Sequence, residues 1–240
     1  MMMNNDQRTA VVPLAPDSAA HSNTMDCLAA AISESHAHGW ATCDVPLEGA
    51  LALARERRIS TPPTRRGQAP IAVLRPTARD QAHPRSLSAQ YGLEAMPLHT
   101  DGANRPLPPN VVLLEASAPC EGSTLIFPIR VNSLTRRQHD SIRSGVFAVG
   151  RGPRAFYSHA MDEAGRVRFD PGCMRPLDPV ARYVNDWLTN AAEDADRHHW
   201  ERPGVTVVIA NVRTLHGRSG VVDHPDREIR RLMLHWNIDA

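Results

Sequence analysis

Five short apolar runs constrain this chain most: IAVL at 71–74, VVLLE at 111–115, STLIF at 123–127, VTVVIA at 205–210 and IRRLMLHWNI at 229–238. Most are too short to be buried helices and are rich in β-branched residues, which suits strands. The chain carries 20 prolines, and those at Pro76, Pro84 and Pro97 break any long element between the second and third strands. Shorter strands are predicted over 40–45, 146–149 and 167–170. A turn is expected around Pro119–Gly122.

Helices are predicted at the margins of this pattern. Thr24 can cap one that Gly39 ends, and Pro46 can open a second. Ser133 can cap a third that runs to about Ser144. Asp178–Pro179 starts the clearest helix, with Val180, Tyr183, Val184, Trp187, Leu188 and Ala191 on one apolar face. The expected class is therefore mainly β with flanking helices (α+β), a sandwich or barrel decorated by helices. The length of 240 residues fits one domain. Residues 1–22 read as a flexible tail and 23–240 as that single domain.

Composition narrows the function classes. A formal net charge of +1 supplies no global field for nucleic acid or an anionic membrane. The 27 basic side chains are all arginine, so any cationic side chain that binds an anion must be Arg or protonated His. Arg suits carboxylates because its planar fork bonds them bidentately. Cys27, Cys43, Cys120 and Cys173 form no CxxC pair and suit neither a zinc knuckle nor a disulfide scaffold. No apolar run reaches a membrane span, and the start lacks the regions of a signal peptide. The expectation is a cytoplasmic protein with reduced thiols and a small-molecule substrate.

The chemistry-bearing motif is His99-Thr100-Asp101 at the end of a predicted strand. Strand residues two apart face the same way, so an imidazole and a carboxylate can grip one ion. A distant second His completes the two-His-one-carboxylate triad that leaves positions open on iron(II), and His216 follows the buried run VTVVIA. Alone the motif is weak, because twelve histidines make chance matches easy and a surface His beside an Asp is the plain alternative.

The surroundings add to it. LHTDGANRPLPPNVVLLEA resembles the HT(D/E) block of the taurine dioxygenase and clavaminate synthase-like superfamily of iron(II)/2-oxoglutarate-dependent oxygenases. EGSTLI resembles that family's Gly-x-Thr segment, RPGVTVVIANVRTLHGRSG its NxxxlHGR block, and HGWATC its GF-V strand. The resemblance runs from about Gly39 to Trp236. It implies a double-stranded β-helix (jelly-roll) core and a metal held by His99, Asp101 and His216. It implies iron(II), 2-oxoglutarate and O2 as cofactor and co-substrates, with release of succinate and CO2. The family's co-substrate residues carry over to Thr124 and to an Arg on the last strand. Arg230 is favoured there because Arg230, Leu232 and Trp236 resemble the R-x-L-x-x-x-W strand. Arg231 is the alternative, since adjacent strand residues face opposite ways and only one points inward. An Arg is needed because the far carboxylate of the co-substrate would be buried, where an unpaired charge is costly.

Two departures from the family are visible. Many members carry a second Arg four residues after the co-substrate Arg, and in sulfonate-degrading members it helps hold the substrate. Here Leu234 stands in that place, or His235 if Arg231 is the anchor. The acid that often precedes Asn211 is Ala210. With Asp101 present, rather than the small residue of related halogenases, hydroxylation, desaturation, epoxidation or cyclisation is the expected outcome. The substrate expected is a small polar metabolite, such as an amino acid or a natural-product intermediate. Ser88, Tyr91, Asn104 and Arg105 are substrate candidates by closeness to the metal strand, and Arg218 by closeness to His216.

Other features receive bland readings. His36 and His38 would diverge on a helix, His198 and His199 would close a long one, Trp187 would be core, and RERR at 55–58 a solvated helix end. Two rival functions remain at this stage. One is a zinc or iron hydrolase or isomerase on a cupin-like barrel, which could use the same triad. The other is a non-catalytic binding protein on this fold.

Overall fold

In the computed structural model, which describes residues 18–84 and 86–236, antiparallel sheets are flanked by helices. In chain order the elements are α1 (Ser18–His38), β1 (Trp40–Cys43), α2 (Leu47–Glu56), β2 (Ala72–Leu74), α3 (Ser88–Tyr91), β3 (Met96–His99), β4 (Val111–Ala116) and β5 (Cys120–Pro128). Then follow α4 (Arg136–Ser144), β6 (Phe147–Val149), β7 (Phe156–Ser158), β8 (Met174–Pro176), α5 (Pro179–Asn190), β9 (Asp196–Trp200), β10 (Thr206–Ala210), β11 (Thr214–Arg218) and β12 (Ile229–Leu234). The expected tail over 1–22 lies outside the described residues up to position 17, and residues 18–22 belong to α1.

Strand parity builds three apolar layers. The first sheet has the order β1-β10-β4-β12-β2 and the second β3-β11-β5-β9. Val111, Leu113, Val208, Leu232 and Leu234 face α1 and α2, where they bury Leu28, Ile32, Leu47 and Leu53. The alternate residues Val112, Leu114, Val207, Ile209, Ile229 and Met233 face the second sheet and meet Ile126 and Trp200. On that sheet's other side Leu98, Leu125 and Leu215 pack with α4, α5 and a small sheet of order β7-β6-β8. Every layer follows from the alternation of one strand's side chains.

Local chemistry sets the ends. Gly39 takes φ +101 after α1 and donates to the Ser35 carbonyl at 2.7 Å, a conformation only glycine adopts cheaply. Asp178 caps α5 by accepting from the Ala181 amide at 2.6 Å, and also accepts from the Val146 amide at 2.9 Å. α4 differs from expectation. Its cap is Thr135, in a reciprocal box with Gln138, because Val131–Ser133 closes into a tighter turn of its own.

Further differences concern the β pattern. The run at 167–170 makes a single bridge, Met161 to Val167, while the unpredicted β7 and β8 pair with β6. His198 and His199 sit in β9, since α5 ends at Asn190. The turn at 119–122 does not close a hairpin: β4 and β5 lie in different sheets, so it passes the chain from one to the other.

Candidate functional site

The inner face of the second sheet carries the site. β11 pairs His216 with His99 on one side and with Ile126 on the other, which puts both imidazoles on one face. Their ring centroids are 4.7 Å apart. Gly217 permits this approach, because a Cβ there would lie 2.6 Å from the Met96 carbonyl oxygen. Asp101 comes from the turn that ends β3. Asn211 holds that turn: its side chain accepts from the Asp101 amide at 2.9 Å and donates to the carbonyls of Asp101 at 3.0 Å and Pro109 at 2.7 Å. Thr100, fully buried between His99 and Asp101, accepts from the Phe169 amide at 3.1 Å.

His99, Asp101 and His216 each present a ligand atom within 4.8 Å of the others, and all three are buried. Nδ1 of His99 lies 3.0 Å from the Pro97 carbonyl, so it carries the proton and leaves Nε2 free to ligate. Burial keeps His216 below its ordinary pKa, which favours the neutral, ligating imidazole. Burial opposes ionisation of Asp101, but Arg231 and the two imidazoles outweigh it and hold the carboxyl well below the usual range. Asp101 Oδ2 lies 3.4 Å from His216 Nε2 without hydrogen-bonding geometry and has no other partner among the described residues. A buried carboxylate oxygen without a donor fits a cation. The donor set, two nitrogens and one oxygen, suits iron(II) with open positions.

Thr124, one row further along the same face, lies opposite Arg218 on β11 and His198 on β9. Its hydroxyl accepts from Trp200 Nε1 at 3.1 Å and from Arg227 Nη2 at 3.3 Å. With both acceptor positions used, its own proton is left to donate. Arg227 is 6% exposed, bonds the Gly122 carbonyl at 3.2 Å through Nε, and makes no ion pair among the described residues. Burial lowers its guanidinium to about 10, so it is still a cation at neutral pH. A buried cation and a hydroxyl proton thus converge without an acid among the described residues, an arrangement chemically able to receive a carboxylate.

The two arginines expected on the last strand part company. Arg230, favoured by spacing, faces α2 and not the site. It binds Glu48 and, at 2.6 Å, Glu115, whose carboxylate also accepts from the Leu47 amide at 3.2 Å. It shares its side of β12 with Leu232 and Leu234, so strand parity excludes it from the interior. Arg231 points inward, binds Asp101 Oδ1 and donates to Thr64 Oγ1 at 2.9 Å. Neither reaches Thr124. The residue that does, Arg227, lies in the loop before β12. Its signal in the sequence is a pair of arginines four apart, Arg227 and Arg231, a spacing that Arg230 lacks.

The remaining candidates disperse. Arg218 donates to the carbonyls of Gly92 at 2.9 Å and Glu94 at 3.1 Å, which makes it a clasp for the turn after α3. Arg105 binds the carbonyls of Pro63 and Thr64. Asn104 is exposed and Ser88 half-buried. Tyr91 lines an open cavity of about 1010 Å³ over the outer face of the small sheet, and none of the three candidate ligands lines it.

No protein-family model and no curated protein matches the sequence. Solved structures do match in fold. An asparagine oxygenase in complex with Fe(II), 2S,3S-3-hydroxyasparagine and succinate superposes with a TM-score of 0.65 at 14% identity, over 91% of this chain and 80% of that one. A second structure of asparagine oxygenase (AsnO) gives 0.66 at 14%, over 90% and 78%. The non-haem iron oxygenase OrfP, in complex with Fe, succinate and (3S)-hydroxy-L-Arg, gives 0.59 at 16%, over 79% and 67%. At these identities the likeness is one of fold alone, shared with an asparagine oxygenase and a non-haem iron oxygenase.

Proposed function

We propose that this protein is an iron(II)/2-oxoglutarate-dependent oxygenase that oxidises a small amino-acid-like metabolite and releases succinate and CO2. The carrying observation is Arg227: a buried guanidinium without an acid, sharing the Thr124 hydroxyl, on the face that bears His99, Asp101 and His216. A metallohydrolase on the same triad has no use for such a receptor. The two sheets packed face to face support reading the core as a jelly roll.

In this reading His99, Asp101 and His216 hold the metal. When bound, iron and 2-oxoglutarate supply the oxidising power through oxygen activation and decarboxylation of the keto acid. The protein supplies position. Arg227 and Thr124 would take the far carboxylate of 2-oxoglutarate, and Trp200, by filling one acceptor position of the Thr124 hydroxyl, leaves that hydroxyl's proton to donate. The apolar filling of Ile126, Val207 and Ile209 keeps the space between the sheets dry, which strengthens each charged contact.

The anchor at Arg227 puts Arg231 four residues later, where many members of the resembled family carry a second Arg. In this structure Arg231 is engaged by Asp101 and Thr64, so the spacing alone does not argue for an anionic group on the substrate. Two of the structures matched in fold are complexes with 2S,3S-3-hydroxyasparagine and (3S)-hydroxy-L-Arg, which supports an α-amino acid as the substrate class. The test is succinate formation from 2-oxoglutarate with iron(II) across an amino-acid library, with mass-spectrometric detection of a product heavier by one oxygen or lighter by two hydrogens. Stimulation by one amino acid, lost in His99→Ala, is expected. A chain that binds iron(II) yet yields no succinate with any α-amino acid overturns the substrate class. One that binds neither iron(II) nor 2-oxoglutarate overturns the whole reading.

A further inference from the structure

The segment 60–66, Ser-Thr-Pro-Pro-Thr-Arg-Arg, is tied to the metal site by two arginines. Arg231 places one end of its fork on Asp101 Oδ1 and the other on Thr64 Oγ1 at 2.9 Å. Arg105, two residues past the Gly102–Ala103 pair that follows Asp101, donates to the carbonyls of Pro63 and Thr64. The carboxylate offered to the metal and the hydroxyl that fastens this strap therefore share one guanidinium. Arg231 is nearly buried, and Asp101 is its one acidic partner among the described residues.

We propose that Arg231 is a positioning residue that couples the metal to the strap: it withholds Asp101 Oδ1, so that the carboxylate ligates through Oδ2 alone, and it holds the strap down only while its own hold on Oδ1 is undiminished. The inference rests on the reading of His99, Asp101 and His216 as the metal site. Its sign follows from charge. A divalent cation at Oδ2 and a guanidinium at Oδ1 draw on the same carboxylate and repel one another across it. Each weakens the other's grip, so metal loading loosens Arg231 and, with it, the Thr64 contact. The coupling is reciprocal: a strap that is no longer fastened opposes the metal less.

The strap carries its own reporter, because Arg65 and Arg66 are cleavage sites for trypsin and both are exposed or nearly so. The experiment loads the full chain with cobalt(II), followed by absorption, and measures cleavage after Arg65 and Arg66 against cleavage after Arg151 and Arg154 in a distant loop. In the unaltered protein cobalt(II) should raise the strap-to-reference ratio about fivefold or more, the lower end of a typical coupling between sites. In Thr64→Val, which leaves all three ligands and Arg231 in place, the ratio should be the same with and without cobalt(II), and cobalt(II) should bind more tightly by that same factor. A ratio in the unaltered protein that ignores bound cobalt(II), or a Thr64→Val variant that keeps the metal dependence, overturns the coupling and leaves the metal site standing. Cobalt(II) binding that survives His99→Ala and His216→Ala overturns both.

Discussion

Replacing Arg227 with Met tests the site most directly, because the structure predicts opposite effects on binding and on folding. With 2-oxoglutarate bound, Arg227 and Thr124 would share its far carboxylate in a dry pocket. Removing one partner of a buried charge pair costs about 3–5 kcal/mol. At about 1.4 kcal/mol per decade, affinity for 2-oxoglutarate should fall by roughly two to three and a half decades. Without co-substrate the balance reverses. Arg227 is a buried cation supported only by the Gly122 carbonyl and the Thr124 hydroxyl, so its own burial is a cost to the free protein. Arg227→Met should therefore melt at the same temperature as the unaltered chain or higher. The assay is calorimetric titration of 2-oxoglutarate without oxygen, beside a thermal melt of the metal-free protein. An affinity within tenfold of the unaltered protein, or a large loss of stability with no loss of affinity, refutes the assignment.

Arg230→Met should show the converse. Its loss leaves Glu115 buried with only the Leu47 amide, which should cost roughly 2–3 kcal/mol because part of the Arg230 side chain is solvated. A thermal melt should fall accordingly while the 2-oxoglutarate affinity stays constant. Asn211→Ala unpairs one amide and two carbonyls around Asp101, so denaturant unfolding should register about 2–4 kcal/mol of lost stability, and metal affinity should drop about tenfold or more. Gly217→Ala drives a methyl into the Met96 carbonyl and must part β3 from β11; the expected cost is about 1–3 kcal/mol, with weaker metal binding as His99 moves from His216. For Asp178→Ala, backbone hydrogen bonds from Ala181 and Val146 hold the carboxyl below its usual pKa. That stabilisation is present above the unfolded carboxyl pKa and lost as pH falls through the folded one. The melting gap between variant and unaltered protein should be constant near neutrality and close in acid.

What the sequence made legible, and what it hid, divides by the range of the interaction responsible. The clustering of His99, Asp101 and His216 was readable because the first two sit two apart across the end of β3 and the third follows a buried run, so short-range geometry did most of the work. β4, β10, α5 and the glycine end of α1 were readable for the same reason. The partition of Arg230 and Arg231 was not. Both lie in one strand, and which faces inward depends on register with β4, where Arg230 lands opposite Glu115 and Arg231 opposite Leu114. Glu115 was the available clue. It stands in an otherwise apolar run, VVLLE, and a buried acid in a strand demands a cation on the same face of the neighbouring one. Read that way, Glu115 claims one arginine for the fold and leaves the other for the site. β7, β8 and β9 were hidden differently, since each is short, and Asp196-Arg197-His198-His199 has no strand-like alternation.

The arginines also show how one side chain type serves distinct ends in a chain without lysine. Arg230 closes an ion network that joins α2 to the sheet, Arg218 fastens a turn through backbone carbonyls, and Arg231 balances the Asp101 carboxylate. Each has its charge or its donors answered within the fold. Arg227 meets a carbonyl and a hydroxyl but no acid among the described residues, and it is about as deeply buried as Arg218. A guanidinium held out of water without an acid costs free energy in the resting protein, and nothing in the packing around Gly122 requires a cation there, since a carbonyl can be met by a neutral donor. In the proposed reading that cost is offset when an anion arrives from outside. A monocarboxylate held by the metal alone would leave Arg227 without an acid; a dicarboxylate that reaches from the metal to Thr124 would answer both ends at once. A buried cation with no acid among the described residues thus supports a two-headed acid as the occupant of the space between the sheets.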